Sequence, residues 1–178
     1  MLYQFVLLKP YEDLYTSLTS SIVSQQLSVK AASTIFGRVQ DLCSDGDNLS
    51  ATRLLNIPID QLRACGLSQA KTRYCIAIAE AVETGQLNFS ALIRLDDEAI
   101  IAELIKIPGI GRWTAEMFLI FALGATDVLA TADLGLKRGM QRYLAIDDYP
   151  SDEDFVASAE VWRPYRSVAS WYLWLLAD

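Results

Sequence analysis

Residues 104–118 read Leu-Ile-Lys-Ile-Pro-Gly-Ile-Gly-Arg-Trp-Thr-Ala-Glu-Met-Phe. Before the proline, Ile100, Ile101, Leu104 and Ile105 recur at helical spacing and mark one buried face. Pro108 cannot donate to the helical ladder and biases its predecessor out of the α region, so that helix must stop. Gly109 and Gly111 flank Ile110, and glycine tolerates positive φ and a close backbone neighbour. Trp113, Met117, Ile120 and Phe121 then resume helical spacing. The pattern predicts a helix, a glycine hairpin and a second helix. The hairpin's N–H groups and the second helix's N-terminus would point the same way, a geometry suited to an anion such as phosphate. On the Gly-x-Gly alone, a plain αα-hairpin turning a corner is the preferred account.

The chain around this hairpin has 178 residues, enough for one compact domain or two small lobes. Apolar residues make up 52%, which argues against disorder. No apolar run approaches the roughly 18 residues that a membrane span needs. The start is apolar but has neither a basic n-region nor a small-residue cleavage site, so a signal peptide is not expected and a cytoplasmic location is. Cys43, Cys65 and Cys75 have no metal-like spacing and read as buried, reduced thiols. There is no histidine, so any chemistry falls to carboxylates, Lys, Tyr, Ser/Thr or Cys. The net charge of −7 argues against a generic nucleic-acid binder, although a local basic face can coexist with it. The bases gather at Lys137, Arg138 and Arg142, then at Arg163 and Arg166.

Helices are predicted over 11–26, 28–42, 51–55, 59–65, 69–83 and 89–95, then into the hairpin from a cap at Asp96 or Asp97. Ser28 fits an N-cap. Gly66-Leu67-Ser68 stops one helix and caps the next. After the hairpin, the Trp113 helix is expected to run to about Leu123, stopping at Gly124. Asp133 precedes a helix weakened by Gly135 and Gly139. Ser151-Asp152-Glu153-Asp154 opens another helix as a capping box. The last helix, over 167–177, has apolar residues all round and is predicted to lie in the core. Nothing alternates with period two, so the chain reads as all-α.

The full pattern Leu-x-x-Ile-Pro-Gly-Ile-Gly-x-x-Thr-Ala, followed by Asp133 in Asp-Val-Leu-Ala-Thr-Ala-Asp-Leu, resembles the helix-hairpin-helix DNA glycosylases. That superfamily is named for the hairpin, a Gly/Pro-rich loop and a later aspartate. The closest likeness is to its 3-methyladenine DNA glycosylase II branch, and it runs from about Leu14 to Trp174. The resemblance implies a two-lobed, all-α helical bundle with a cleft between lobes. One lobe would span about 28–134 with the hairpin at 107–111, and the other the N-terminal helix with about 134–178, within a single domain over 1–178. The extra N-terminal lobe of larger relatives has no counterpart expected here.

The same resemblance assigns roles. Asp133 would be the catalytic carboxylate; read alone, it is an N-cap. Trp113 and Trp174 match two aromatic positions of the base pocket, and a third aromatic of some relatives falls at Met117. Core packing accounts for Trp174 about as well. Trp113 stands where bifunctional relatives place an attacking lysine, so no strand-cleaving lyase step is expected. Gln25, Gln26 and Leu27 match the segment that enters the minor groove and fills the gap of an extruded nucleotide; without the family they read as a solvent-facing corner. Pro108, Gly109, Ile110, Gly111, Arg112 and Lys137 would contact DNA. Lys71, Arg138 and Arg166 are weaker phosphate candidates, Arg166 reading better as a support for the fold or the Asp133 loop. Carbonyls of Ile107 and Gly109 would hold a monovalent cation, Na+ or K+. No other cofactor is implied, and with no cysteine after Cys75 the iron–sulfur cluster of some relatives cannot form.

The expected partner is double-stranded DNA containing damaged bases, bound by a monomer. The expected reaction is hydrolysis of the N-glycosyl bond of an alkylated purine, leaving an abasic site. An alkylated purine is cationic and leaves neutral, which suits a chain without histidine. Two other readings stay open: a non-catalytic helix-hairpin-helix DNA-binding module, and a helical protein-interaction domain.

Overall fold

The computed structural model describes residues 13–46 and 48–177. Among them the regular structure is helical apart from one β-hairpin of two-residue strands, in agreement with the all-α expectation. The chain divides into two compact units, one ending at Phe118 and the other beginning at Leu119.

The first unit holds α1 (Leu14–Ser24), α2 (Val29–Cys43), β1 (Ser44–Asp45), β2 (Asn48–Leu49), α3 (Ala51–Asn56) and α4 (Ile59–Ala64). It continues with α5 (Gln69–Glu83), α6 (Phe89–Leu92), α7 (Asp97–Leu104) and α8 (Arg112–Phe118). Polar side chains start most of these helices. Asp13, Ser28, Ser50, Ser68, Asn88 and Asp96 each accept a backbone N–H of the first turn, offsetting donors that the helix cannot satisfy itself. The β-pair turns at Gly46, whose φ is +69°, and is too short to leave an alternating pattern in the sequence. α1 packs on α2, α5 and α8, while α7 lies against α8. Leu18, Ile22, Leu54, Ile78 and Leu104 are fully buried there.

The second unit opens with a π-helical turn, Leu119–Leu123, followed by α9 (Leu134–Leu144), α10 (Asp152–Ala159), a 3₁₀ turn at Glu160–Trp162 and α11 (Arg166–Ala177). Asp133 caps α9 and Ser151 caps α10. α9 and α11 form the most extensive helix pair, packed so closely that a Cβ on Gly139 would lie 2.0 Å from the Leu173 carbonyl oxygen. No helix among the described residues is long and apolar enough to cross a membrane.

The division between the units falls at Phe118–Leu119, with α1 in the same unit as the hairpin. The cause is non-local: α1 rests on α2, α5 and α8, while the loop after Gly124 is bonded to α11. The helix beginning near Trp113 does not stay α-helical to Leu123 but widens into the π turn at Leu119. Finally, α11 is not a core helix. Its buried face is Leu173 with the small residues Ser167, Ser170 and Ala177, while Val168, Tyr172, Leu175 and Leu176 remain exposed.

Candidate functional site

In the first unit, the hairpin places Ile107 and Ile110 in the core and leaves Pro108, Gly111, Arg112 and Trp113 exposed. Ile110 is therefore available to a ligand only through its backbone. The two glycines differ. Gly109 has φ +91°, and a Cβ there would sit 2.2 Å from the Tyr74 ring, so both conformation and packing demand glycine. Around Gly111 no heavy atom lies within 4 Å of the Cβ position, so nothing inside the chain requires its bareness. The open side of the hairpin is the Gly111 side, where α8 begins.

The segment after α1 is bound to this hairpin. Gln25 donates its side-chain amide to the Gly109 carbonyl at 3.3 Å and to the Thr114 hydroxyl at 3.1 Å. Lys71 donates its ammonium to the carbonyls of Val23 and Gln25 at 2.7 and 2.6 Å, closing the C-terminus of α1. Burial pulls the Lys71 pKa below its ordinary value. The Gln25 amide nitrogen and the Lys71 ammonium thus bond to partners inside the protein. Gln26, by contrast, is exposed and left-handed, with φ 56°. A non-glycine residue there is strained by on the order of 1 kcal/mol. Leu27 beside it is exposed as well.

Arg112 opens α8 but faces two carboxylates. Its guanidinium meets Glu98 through two nitrogens, and its Nε donates to Glu116 at 3.0 Å. Glu116 is itself buried. The Arg112 hydrogen bond holds the Glu98 carboxyl below its usual range, and Glu98 raises Arg112 in return. Trp113 is 39% exposed and Met117 is buried, both on α8.

In the second unit, Asp133 accepts the Leu136 N–H at 2.8 Å and the Trp174 indole N–H at 3.0 Å, both on Oδ1. Cap and candidate catalyst are one side chain. The loop leading to it is fixed by Asp127, which Arg166 grips through Nε at 2.7 Å and through a second nitrogen at 3.1 Å. That second nitrogen also reaches the Asp127 carbonyl at 2.9 Å. Burial alone would raise the Asp127 carboxyl; the Arg166 bonds overcome it and hold the group below its ordinary pKa. Ser167 accepts the Val128 N–H at 2.9 Å and its own N–H goes to the Thr126 carbonyl. Arg166 is thus a support of the Asp133 loop, the alternative that the sequence favoured. Lys137 is paired with Asp152 at 2.7 Å, and Arg138 is exposed with no ion pair among the described residues.

The cysteines are free and buried; burial pushes the Cys43 thiol up to about 11 and Cys75 to about 12. Such thiols are poor nucleophiles and poor metal ligands at neutral pH.

Of the candidates, the structure joins Gln25 to Gly109 and Asp133 to Trp174. Sequence reading missed Glu98 and Glu116 as partners of Arg112, although the i, i+4 spacing of Arg112 and Glu116 was legible. It also missed Phe121, described below.

A helical chain whose glycine hairpin opens one helix, and whose capping aspartate at another is held by an indole, defines a helix-hairpin-helix protein with an acid at its site. The chain belongs to the HhH-GPD superfamily of base excision DNA repair proteins, whose family pattern matches residues 19–164. DNA-3-methyladenine glycosylase 1 of Schizosaccharomyces pombe is 35% identical over 167 residues, covering 93% of this chain and 72% of that protein. Among solved structures, the 3-methyladenine DNA glycosylase of the same yeast in complex with abasic DNA superposes with a TM-score of 0.86. It is 32% identical, covering 98% of this chain and 85% of that one. A DNA-3-methyladenine glycosidase from Bacillus halodurans gives a TM-score of 0.85 at 39% identity, covering 97% and 79%.

Proposed function

We propose that this protein is a DNA glycosylase of base excision repair that hydrolyses the N-glycosyl bond of alkylated purines of the 3-methyladenine type, leaving an abasic site. The observation that carries this reading is the Asp133 carboxylate, held on Oδ1 by the Leu136 N–H and the Trp174 indole, in a chain so similar to proteins named for that activity.

The leaving group sets what the protein must supply. A cationic alkylated purine departs with the bonding electron pair and becomes neutral, so little general acid is needed. Positive charge grows on the sugar, and an ionised carboxylate stabilises it. Water then adds its oxygen to C1′ and gives up a proton, which the same carboxylate accepts. Trp113 would stack on the extruded base, and an indole face prefers a cationic ring by roughly 0.5–2 kcal/mol. Extrusion is required because the reacting sugar face is shielded within a duplex. Trp113 carries no amine to attack C1′, so the reaction stops at the abasic site without strand cleavage.

The exposed Gly111 side of the hairpin and the start of α8 would hold a phosphate of double-stranded DNA, with Gln26 or Leu27 filling the vacated stack. The carbonyls of Ile107 and Gly109 would hold a Na+ or K+ ion, which would supply positive charge for binding an anionic strand. Each oxygen already accepts one hydrogen bond, from Ile110 and Gln25 respectively, and a second lone pair remains on a carbonyl for a cation.

One observation favours the non-catalytic DNA-binding module instead: Asp133 fully serves as the α9 cap. Release of 3-methyladenine from methylated duplex separates the two. The enzyme reading expects release by the wild type and its loss in Asp133→Asn; the module expects neither release nor any effect. Borohydride added during turnover should trap no protein–DNA adduct, since no Schiff base forms.

A further inference from the structure

The two glycines of α9 look like flaws in a helix until α11 is placed beside them. A Cβ on Gly139 would drive into the Leu173 backbone, which makes that position a backbone-to-backbone contact. A Cβ on Gly135 would lie 3.0 Å from Trp174 Cδ1, 3.2 Å from Trp174 Nε1 and 3.0 Å from Asp133 Oδ1. Gly139 sets how close the two helices come, and Gly135 leaves room for the indole to lie over the first turn of α9. The result is the 3.0 Å bond from the indole N–H to the carboxylate.

The indole is fixed from its other side. Phe121 stacks on Trp174 with centroids 5.7 Å apart and planes 21° apart. Trp171 stands edge-on to both, at 5.9 Å from Trp174 and 5.4 Å from Phe121. Trp171 Nε1 is buried and has no hydrogen-bond partner, so this ring serves by packing alone. Phe121 comes from the π turn, whose extra residue resets the direction of the side chains that follow it. A ring stacked on Phe121 and set perpendicular to Trp171 has little rotational freedom, and its N–H is aimed at one oxygen.

We propose that Trp174 is a positioning residue for Asp133, acting through its indole N–H, with Phe121, Trp171, Gly135 and Gly139 as its mount. The inference rests on the catalytic reading of Asp133. A base-pocket wall needs only an aromatic face; a positioning residue needs the donor.

The test is single-turnover release of 3-methyladenine from methylated duplex, with binding to an abasic-site duplex measured in parallel. Trp174→Phe keeps a ring and removes the donor. It should slow the chemical step by about 10- to 100-fold while KM and abasic-duplex affinity stay within about twofold. Trp174→His returns a ring N–H and should recover part of the loss. If the larger substitutions unfold the protein, Gly135→Ala gives the same readout. It raises helix propensity yet inserts a methyl between the indole and the carboxylate, and it should slow the step with binding intact. A Trp174→Phe enzyme with wild-type rate, or one changed only in KM, overturns the proposal. So does a Trp174→His enzyme no faster than Trp174→Phe. Asp133→Asn is run beside them: if it retains full activity, the catalytic reading itself has failed, whereas its inactivity beside an unaffected Trp174→Phe condemns the positioning role alone.

Discussion

The side-chain amide of Gln25 donates to the carbonyl of Gly109 at 3.3 Å, across 84 positions of sequence, and to Thr114 at 3.1 Å. The turn after α1 and the glycine hairpin are therefore one assembly, with Lys71 closing the other side of the turn. In the proposed function, the residue that enters the duplex and the loop that grips its backbone would keep a fixed register. Gln25→Leu should lower stability by about 1–2 kcal/mol in the absence of DNA, since two partners lose their donor. Urea unfolding measures this. If Gln25 instead served only as a DNA contact, free-protein stability would not move and only duplex affinity would fall.

The glycines of the hairpin should separate fold from binding. Gly109→Ala collides with the Tyr74 ring at a φ of +91° and should cost about 3 kcal/mol. Gly111→Ala meets nothing within 4 Å and should unfold at nearly the wild-type urea concentration. Its methyl would stand where the proposed function puts a phosphate, so affinity for an abasic-site duplex should drop about tenfold. Equal affinity in Gly111→Ala and wild type would move the DNA backbone away from this corner.

The second unit offers a pH test. Asp127 has its pKa lowered because the Arg166 bonds outweigh burial. A carboxyl with a depressed folded pKa contributes stability that is complete above its unfolded value, near 4, and is lost as pH falls through the folded one. Asp127→Asn should therefore destabilise by about 2 kcal/mol at pH 7, leaving Arg166 with only its longer pair to Glu160 at 3.8 Å. The gap between mutant and wild type should narrow as pH drops below about 4. Arg166→Lys should not rescue the pairing, because one ammonium cannot reproduce the guanidinium's bonds to both carboxylate oxygens and the Asp127 carbonyl. A gap that stays constant with pH would show that the ionised carboxylate is not what matters.

What the sequence made legible was local. Ser28, Ser68, Asp96, Asp133 and Ser151 cap the helices they precede, because capping is decided within one turn. Pro108 and the glycines located the hairpin for the same reason. The boundary between the units depends on which distant helices α1 packs against, which no window of sequence contains. Apolar composition alone put α11 in the core, whereas its small face, Ser167, Ser170 and Ala177, was the better sign of a close partner. Gly135 and Gly139 were read as helix weakeners, a sound propensity argument that tertiary contact overrides. They were also the one sequence signal that an indole and a backbone lie against α9.

Arg112 gives the last prediction. It begins α8 beside the hairpin, where a cation would meet phosphate, yet Glu98 and Glu116 engage it. The pair with Glu98 is exposed on both sides, so solvent screens it and it adds at most about 1 kcal/mol to stability. Competition with phosphate is then its main consequence, and it fits a chain of net charge −7 that must still approach DNA. Glu98→Gln should leave urea unfolding almost unchanged and tighten undamaged-duplex binding about three- to tenfold at low salt. Releasing one cation should also steepen the slope of log affinity against log salt by about one. An unaltered slope with tighter binding would mean that only the overall charge had shifted, and that Arg112 stays with Glu116 when DNA is bound.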